Sequence, residues 1–406
     1  LASPESDALS PRKHSVYWQR PDIMLLAMVF IMSFCFATWQ VLLNNFVVER
    51  ASFTGVEIGI LQSVREIPGF LAFTAVFVLL ILKEQVFAVL SLGVMCLGVA
   101  MTGFLPFEYG LYFTTVIMSI GFHYFETMNK SLTLQWLSKE EAPYFLGKSL
   151  SVKAVASLAA YASIFVCMEL LGVDYVWVYF VIGTIGVIAS LLIFQKFPLF
   201  QIGVGQKKQL LLKRRYWLYY TLVFLSGARR QIFVVFAGFM MVEKFGYSVA
   251  DISTLFIVNY LFNFFFASRI GKLIGVIGER RALIFEYTGL ICVFLGYAFV
   301  ENATFAASLY VIDHMFFALA IAVSTYFQKV ANQEDIASTA SVSFTINHIA
   351  AVVIPALLGM VWVVSTKAVF LVGVGFAIAS LICSCNIPLK PSKSNAVLWG
   401  KRFAGL

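Results

Sequence analysis

The sequence predicts an all-α membrane protein of twelve transmembrane helices, arranged as two pseudo-symmetric six-helix bundles with both termini cytoplasmic. Three observations lead there. Of 406 residues, 61% are hydrophobic and 12% charged, whereas a soluble chain is about half apolar and about a quarter charged. The apolar residues fall in long runs, and roughly 20 helical residues cross a hydrocarbon core about 30 Å thick. Basic residues crowd into alternate loops, as the positive-inside rule requires.

The elements follow in order. Residues 1–21 are polar and carry Arg12, Lys13 and Arg20, which marks a cytoplasmic N-terminal segment. The first apolar run has full spanning length, unlike the short apolar core of a cleaved signal. Predicted spans are 22–46, 55–82, 85–104, 108–130, 146–171 and 174–197, then 216–241, 250–275, 281–300, 304–328, 336–362 and 367–388. The first six form an N-terminal bundle over 22–197, and the last six a C-terminal bundle over 216–388. A basic cytoplasmic linker, 198–215, holds Lys207, Lys208, Lys213, Arg214 and Arg215, and a cytoplasmic tail covers 389–406. With the N-terminus inside, the opposite side keeps only Arg50, Lys244 and Lys367. An error of one helix would scramble that asymmetry.

Composition also excludes. The net charge of +8 belongs to membrane-flanking loops, and no soluble basic domain exists to bind nucleic acid. The six cysteines lie in or beside apolar runs without CxxC spacing, as reduced packing residues. No nucleotide-binding loop, HExxH or nucleophile motif occurs, so no cofactor, resident metal or enzymatic chemistry is expected.

Between the eighth and ninth predicted spans the chain reads Arg269-Ile-Gly271-Lys272-Leu-Ile-Gly-Val-Ile-Gly278-Glu279-Arg280-Arg281. This resembles the signature loop of the major facilitator superfamily, in which glycines and a basic pair join two helices. The resemblance implies gating roles for Gly271, Lys272, Gly278, Arg280 and Arg281, with both glycines permitting a tight turn. The family's acid is replaced by Gly275, and the equivalent loop between the second and third spans is only Lys83-Glu84-Gln85. The fifth span lacks the Gly-Pro motif of drug/proton antiporters, and the fourth lacks their arginine. The resemblance therefore implies a major facilitator transporter of a branch without the drug-antiporter motif, with two halves rocking about a midplane site.

Charged residues inside the spans point to that site. Arg65, Glu66, His123, Glu126, Lys153, Arg229, Arg230, Glu286, Asp313, His314 and His348 all lie within apolar runs. Each costs about 2.5–3.5 kcal/mol if it faces lipid, so most must face water or one another. At 1.5 Å per residue, Arg65, Arg229, Arg230, Asp313, His314, Asn347 and His348 share a layer near the midplane. Substrate-binding candidates are Arg65, Arg229, Arg230, Gln40, Asn44, His123, Asn259, Asn347 and His348. Guanidinium binds carboxylate or phosphate bidentately; the plainer reading is an internal ion pair with Asp313 or Glu66. Proton-coupling candidates are Asp313, His314, Glu66 and Glu126, because histidine and carboxylates near arginine change charge at accessible pH. Lys153 and Glu286, placed near cytoplasmic ends, suit snorkelling and gating or structural roles.

The expected function is proton-coupled secondary transport of a small anionic or amphiphilic organic solute by a monomer, in a bacterial inner membrane and in contact with its lipids. Metal or metal-chelate transport and lipid translocation are the alternatives within transport. An intramembrane enzyme and a non-transporting receptor are the alternatives outside it.

Overall fold

The computed structural model describes residues 19–137, 141–200, 212–332 and 335–401. Arg12, Lys13, Lys139, Lys207, Lys208 and Arg402 lie outside the described residues. Helices start where the sequence offers caps. Pro21 opens α1 (Pro21–Ala51) at the position where a missing N–H costs nothing. Thr54 and Glu57 form a capping box for α2 (Gly55–Phe70), and Ser248 with Asp251 does so for α10 (Val249–Ile277). Side chains of Asp174, Asn302 and Ser365 cap α7 (Tyr175–Lys196), α12 (Ala303–Phe317) and α15 (Thr366–Cys385). The remaining long helices are α4 (Glu84–Thr102), α5 (Glu108–Trp136), α6 (Glu141–Phe165), α11 (Glu279–Phe299) and α14 (Ile336–Val364). Among the described residues, one isolated bridge, Ser392 with Asn395, is the sole β feature. Nine helical stretches among them are long and apolar enough to cross a membrane.

Three predicted spans are interrupted. Pro68, which cannot donate to the helix ladder, precedes the end of α2 at Phe70. A 3-10 turn and the short α3 (Ala75–Val78) follow it. α8 (Trp217–Gln231) passes through a π turn, Ile232–Ala237, into α9 (Gly238–Glu243). A 3-10 turn, Ala318–Ala320, separates α12 from α13 (Ile321–Val330).

The two ends of the bundle are distinct. At one end Tyr175 Oη donates to Glu49 (3.0 Å), Lys244 Nζ to the Val300 carbonyl (2.7 Å), and Lys367 lies over the Phe299 ring (3.8 Å). We call this the far end. At the opposite, linker end, Gln85 joins Pro198 and Phe200, Lys213 pairs with Asp335, and Lys329 with Glu279. The C-terminal segment packs against the bundle as far as Trp399. Asn386 Oδ1 accepts from the Leu398 and Trp399 N–H groups, Tyr326 Oη donates to the Ala396 carbonyl, and Ala396 and Val397 are buried.

Across the halves, α2 packs on α14 and α6 on α10. The α2–α14 seam is built on glycine. A Cβ at Gly59 would stand 2.4 Å from the Pro355 carbonyl oxygen, and one at Gly359 2.4 Å from that of Gly55. Tyr161 meets Phe256 and Tyr260 where α6 crosses α10, and Asn45 Nδ2 donates to the Tyr247 carbonyl. These contacts lie in the far half of the molecule and join the two halves there.

Candidate functional site

Arg65 and Glu66 are neighbours on α2, and both are buried. Arg65 donates through Nε (3.1 Å) and Nη2 (2.5 Å) to Glu66 Oε1. The other oxygen, Glu66 Oε2, lies 3.0 Å from His348 Nδ1 on α14 and so bridges the halves. The His348 and His123 rings meet edge to face at 5.1 Å. Gly69 makes room for both, since a Cβ there would come within 2.7 Å of each imidazole. Arg65, Glu66, His123 and His348 are thus one buried group. Arg65 is a paired residue within it.

Arg230 is different. It is solvent-exposed although it sits about three turns or more from either end of its apolar run. Its charge interacts with Arg65, Glu66 and Glu126 of the opposite half, so it faces the space between the halves, called the crevice below, rather than lipid. Its guanidinium lies 5.8 Å from the Phe317 ring centroid, and no ion pair to it forms among the described residues. Glu126, half-exposed, pairs with Lys153 at 3.2 Å, so that lysine also faces the crevice rather than snorkelling alone. Three cations, Arg65, Lys153 and Arg230, therefore share this region with two carboxylates. Asn347 stands beside Gly227 on α8 (2.7 Å from its ideal Cβ), Asn44 beside Gly238, Gln40 is half-buried on α1, and Asn259 is buried on α10.

Arg229 is placed differently from Arg230. Adjacent helical residues point about 100° apart, and this one turns into the C-terminal half, where it is 4% exposed. It pairs with Glu286 at 3.6 Å and lies over the Tyr287 ring at 4.4 Å. Glu286, expected to snorkel, is 1% exposed and two turns inside α11. Asp313 is buried and interacts with Arg229. The ring of His314, the next residue on α12, lies 6.2 Å from that of Phe233.

The signature segment is also rearranged. Gly271 falls inside α10, which runs on to Ile277, so the turn belongs to Gly278 alone, with φ +82°. Lys272 and Arg281 are exposed and Arg280 half-buried, while the buried acid of the segment, Glu279, takes Lys329 at 2.6 Å. A second clasp joins the end of the linker to the start of α14. Asp335 accepts from Lys213 Nζ (2.5 Å) and Tyr216 Oη (2.7 Å). Neither clasp was foreseen, because each partner reads along the chain as an ordinary loop charge.

The Lys213 hydrogen bond, first, and that of Tyr216 hold the Asp335 carboxyl below its usual range. A carboxyl depressed by folding adds stability above its unfolded value and loses it as pH falls through the folded value. Acid below about pH 3.9, the free aspartate value, should therefore release this clasp. Asp335→Asn should remove that limb of a stability-versus-pH curve measured on purified protein.

The sequence profile described as Major Facilitator Superfamily matches residues 25–355. No curated protein sequence matches the chain. Among solved structures, the nucleoside transporter NupG is similar with a TM-score of 0.74 at 14% identity, over 90% of this chain and 99% of that one. A bacterial homologue of the human lysosomal transporter Spinster, inward-facing and occupied, gives 0.68 at 13% identity, over 91% and 97%. A POT family transporter in complex with 5-aminolevulinic acid gives 0.69 at 12% identity, over 89% and 94%. Such identities speak for the fold, and the profile, which spans most of the sequence, speaks for descent. The chain belongs to the Major Facilitator Superfamily and is a multi-pass membrane transporter.

Proposed function

We propose that this transporter moves a small anionic or amphiphilic organic solute by alternating access, coupled to protons, with Arg230 as the solute's anchor. One observation carries the reading: Arg230 is an exposed guanidinium in the crevice, without a carboxylate partner among the described residues. The surplus of one positive charge around it favours an anion. His123, His348, Asn347, Asn44, Gln40 and Asn259 supply polar neighbours, and Arg65 with Glu66 and Glu126 set the local field. Metal transport has less support, because no group of three or more metal-ligating side chains gathers among the described residues.

In this reading twelve helices span the membrane, grouped as bundles 22–197 and 216–388 about the linker 198–215. The linker end, rich in Lys and Arg, is cytoplasmic and carries both termini. The joined far end then makes this an inward-open state, with the protein a monomer among the lipids of a bacterial inner membrane. Gly278, Lys272, Arg280, Arg281 and the Glu279–Lys329 clasp govern the cytoplasmic gate.

Counterflow in proteoliposomes tests it. Vesicles preloaded with one of a panel of small carboxylates and phosphate esters should take up the labelled compound for at least one member. Arg230→Ala should abolish that uptake, while Arg230→Lys keeps a fraction of it. Uptake unaffected by Arg230→Ala would refute the anchor.

A further inference from the structure

A second charged site lies inside the C-terminal half, walled off from the crevice. Arg229 on α8 and Glu286 and Asp313 on α11 and α12 are 4%, 1% and 3% exposed. One buried guanidinium here faces two buried carboxylates. The Arg229–Glu286 contact, at 3.6 Å, is long for a charge-assisted hydrogen bond, which runs about 2.7–2.9 Å. Asp313 feels the charge of the same arginine but forms no ion pair with it within 4 Å among the described residues, so the one guanidinium is held by Glu286 and leaves Asp313 uncompensated.

The polar atoms around the cluster confirm the mismatch. Glu286 Oε2, Asp313 Oδ2, Arg229 Nε and the Tyr297 hydroxyl are all buried without hydrogen-bond partners. Tyr297 is 2% exposed and interacts electrostatically with Asp313, as does Tyr310 on α12. Tyr287 on α11 also interacts with Glu286 and Arg229 and in turn with Cys383 on α15, and His314 follows Asp313 on α12. An uncompensated ionised carboxylate in such a place costs several kcal/mol and takes up a counter-charge instead.

We propose that Glu286 and Asp313 share one exchangeable proton, with Arg229 moving between them, and that this pair is the coupling site of the transporter. A proton suits the site better than a metal ion. Hard metal cations take about six or more oxygens, and no metal-holding group of three or more acidic, His or Cys side chains gathers among the described residues. The proton comes from water and returns to water, and no electron moves.

The link to the solute is α8 itself. Arg229 faces the proton site and the next residue, Arg230, faces the crevice. The π turn Ile232–Ala237 begins two residues later. Such turns are local irregularities in helix register and recur at functional sites. When Arg229 changes carboxylate, α8 can turn and carry Arg230 with it. The coupling role rests on the transport reading above; the shared proton does not, because it forms without solute.

Infrared titration of purified protein in vesicles tests the site without any solute. A protonated carboxyl C=O band should be present at neutral pH in choline chloride. Glu286→Gln and Asp313→Asn should each abolish it, because the remaining carboxylate then pairs with Arg229 as an ion. Glu66→Gln and Arg230→Ala should leave it. Two replacements guard against a folding failure in either one, with elution as a single gel-filtration species as the criterion. A band missing in the wild type, or surviving in both folded single variants, overturns the proposal. Loss of the wild-type band when sodium replaces choline also overturns it, and makes the ligand a metal cation. A negative counterflow panel would sink the solute reading while leaving this band in place.

Discussion

Arg229→Met should destabilise the protein by about 3–5 kcal/mol, the usual cost of removing one partner from a buried ion pair, whereas Arg230→Met should cost less than about 0.5 kcal/mol. The two residues are neighbours of the same type on one helix, so propensity and composition are constant between them. What differs is the surroundings. Arg229 is buried against Glu286 and Tyr287, and its loss strands two carboxylates. Arg230 is exposed in the crevice and leaves nothing buried behind. Denaturation midpoints in mixed micelles, followed by tryptophan fluorescence, measure both. The Arg229→Met deficit should shrink as pH falls, because acid supplies the stranded carboxylates with protons. Adding Glu286→Gln should recover part of it at neutral pH. Equal costs for the two arginines would contradict the assignment of one to the fold and proton site and the other to the crevice.

Gly59→Val should hold the halves apart at the far end. The new Cβ would meet the Pro355 carbonyl oxygen at 2.4 Å and Gly359 Cα at 3.1 Å. Both are backbone atoms, so no side chain can swing away; the helices must separate. Overpacking costs about 1–3 kcal/mol, and every 1.4 kcal/mol is tenfold in an equilibrium. The closed form should therefore lose population by roughly 10–100-fold. A cysteine at Asn45, which bonds Tyr247 across the closed end, reports this in a background lacking the six native cysteines. Its reaction with a membrane-impermeant thiol reagent should accelerate in Gly59→Val, and transport should fall. Unchanged reactivity would show that the seam does not set the closure.

Much of the fold is legible from apolar run length. The caps at Thr54, Asp174, Ser248, Asn302 and Ser365 fix exact helix starts that run length does not, because a cap acts on its own first turn alone. The breaks were harder. Pro68 is visible in the sequence, yet prolines are tolerated in membrane helices, and Pro355 does sit inside α14 without ending it. The π turn after Gln231 has no residue signature. The site divides in the same way. Adjacency alone says that Arg229 and Arg230 face different directions, but which one meets water depends on which helix lies opposite. Glu286 read as an end-of-helix acid because its distance along the chain hides that Arg229 approaches it from α8. The docked segment around Asn386 was invisible for a related reason: its short polar sequence gains burial only from Tyr326 and the linker end.

The most direct test of the central claim is thermal stability of the purified protein against organic anions, divalent metals, chelates and lipids, at about pH 5.5 and 7.5. A bound solute at 100 times its dissociation constant stabilises by about 2.7 kcal/mol. The account predicts a shift with at least one organic anion, lost in Arg230→Ala and kept in a folded Asp313→Asn protein. A shift confined to metals or chelates, or one that survives Arg230→Ala, would contradict it.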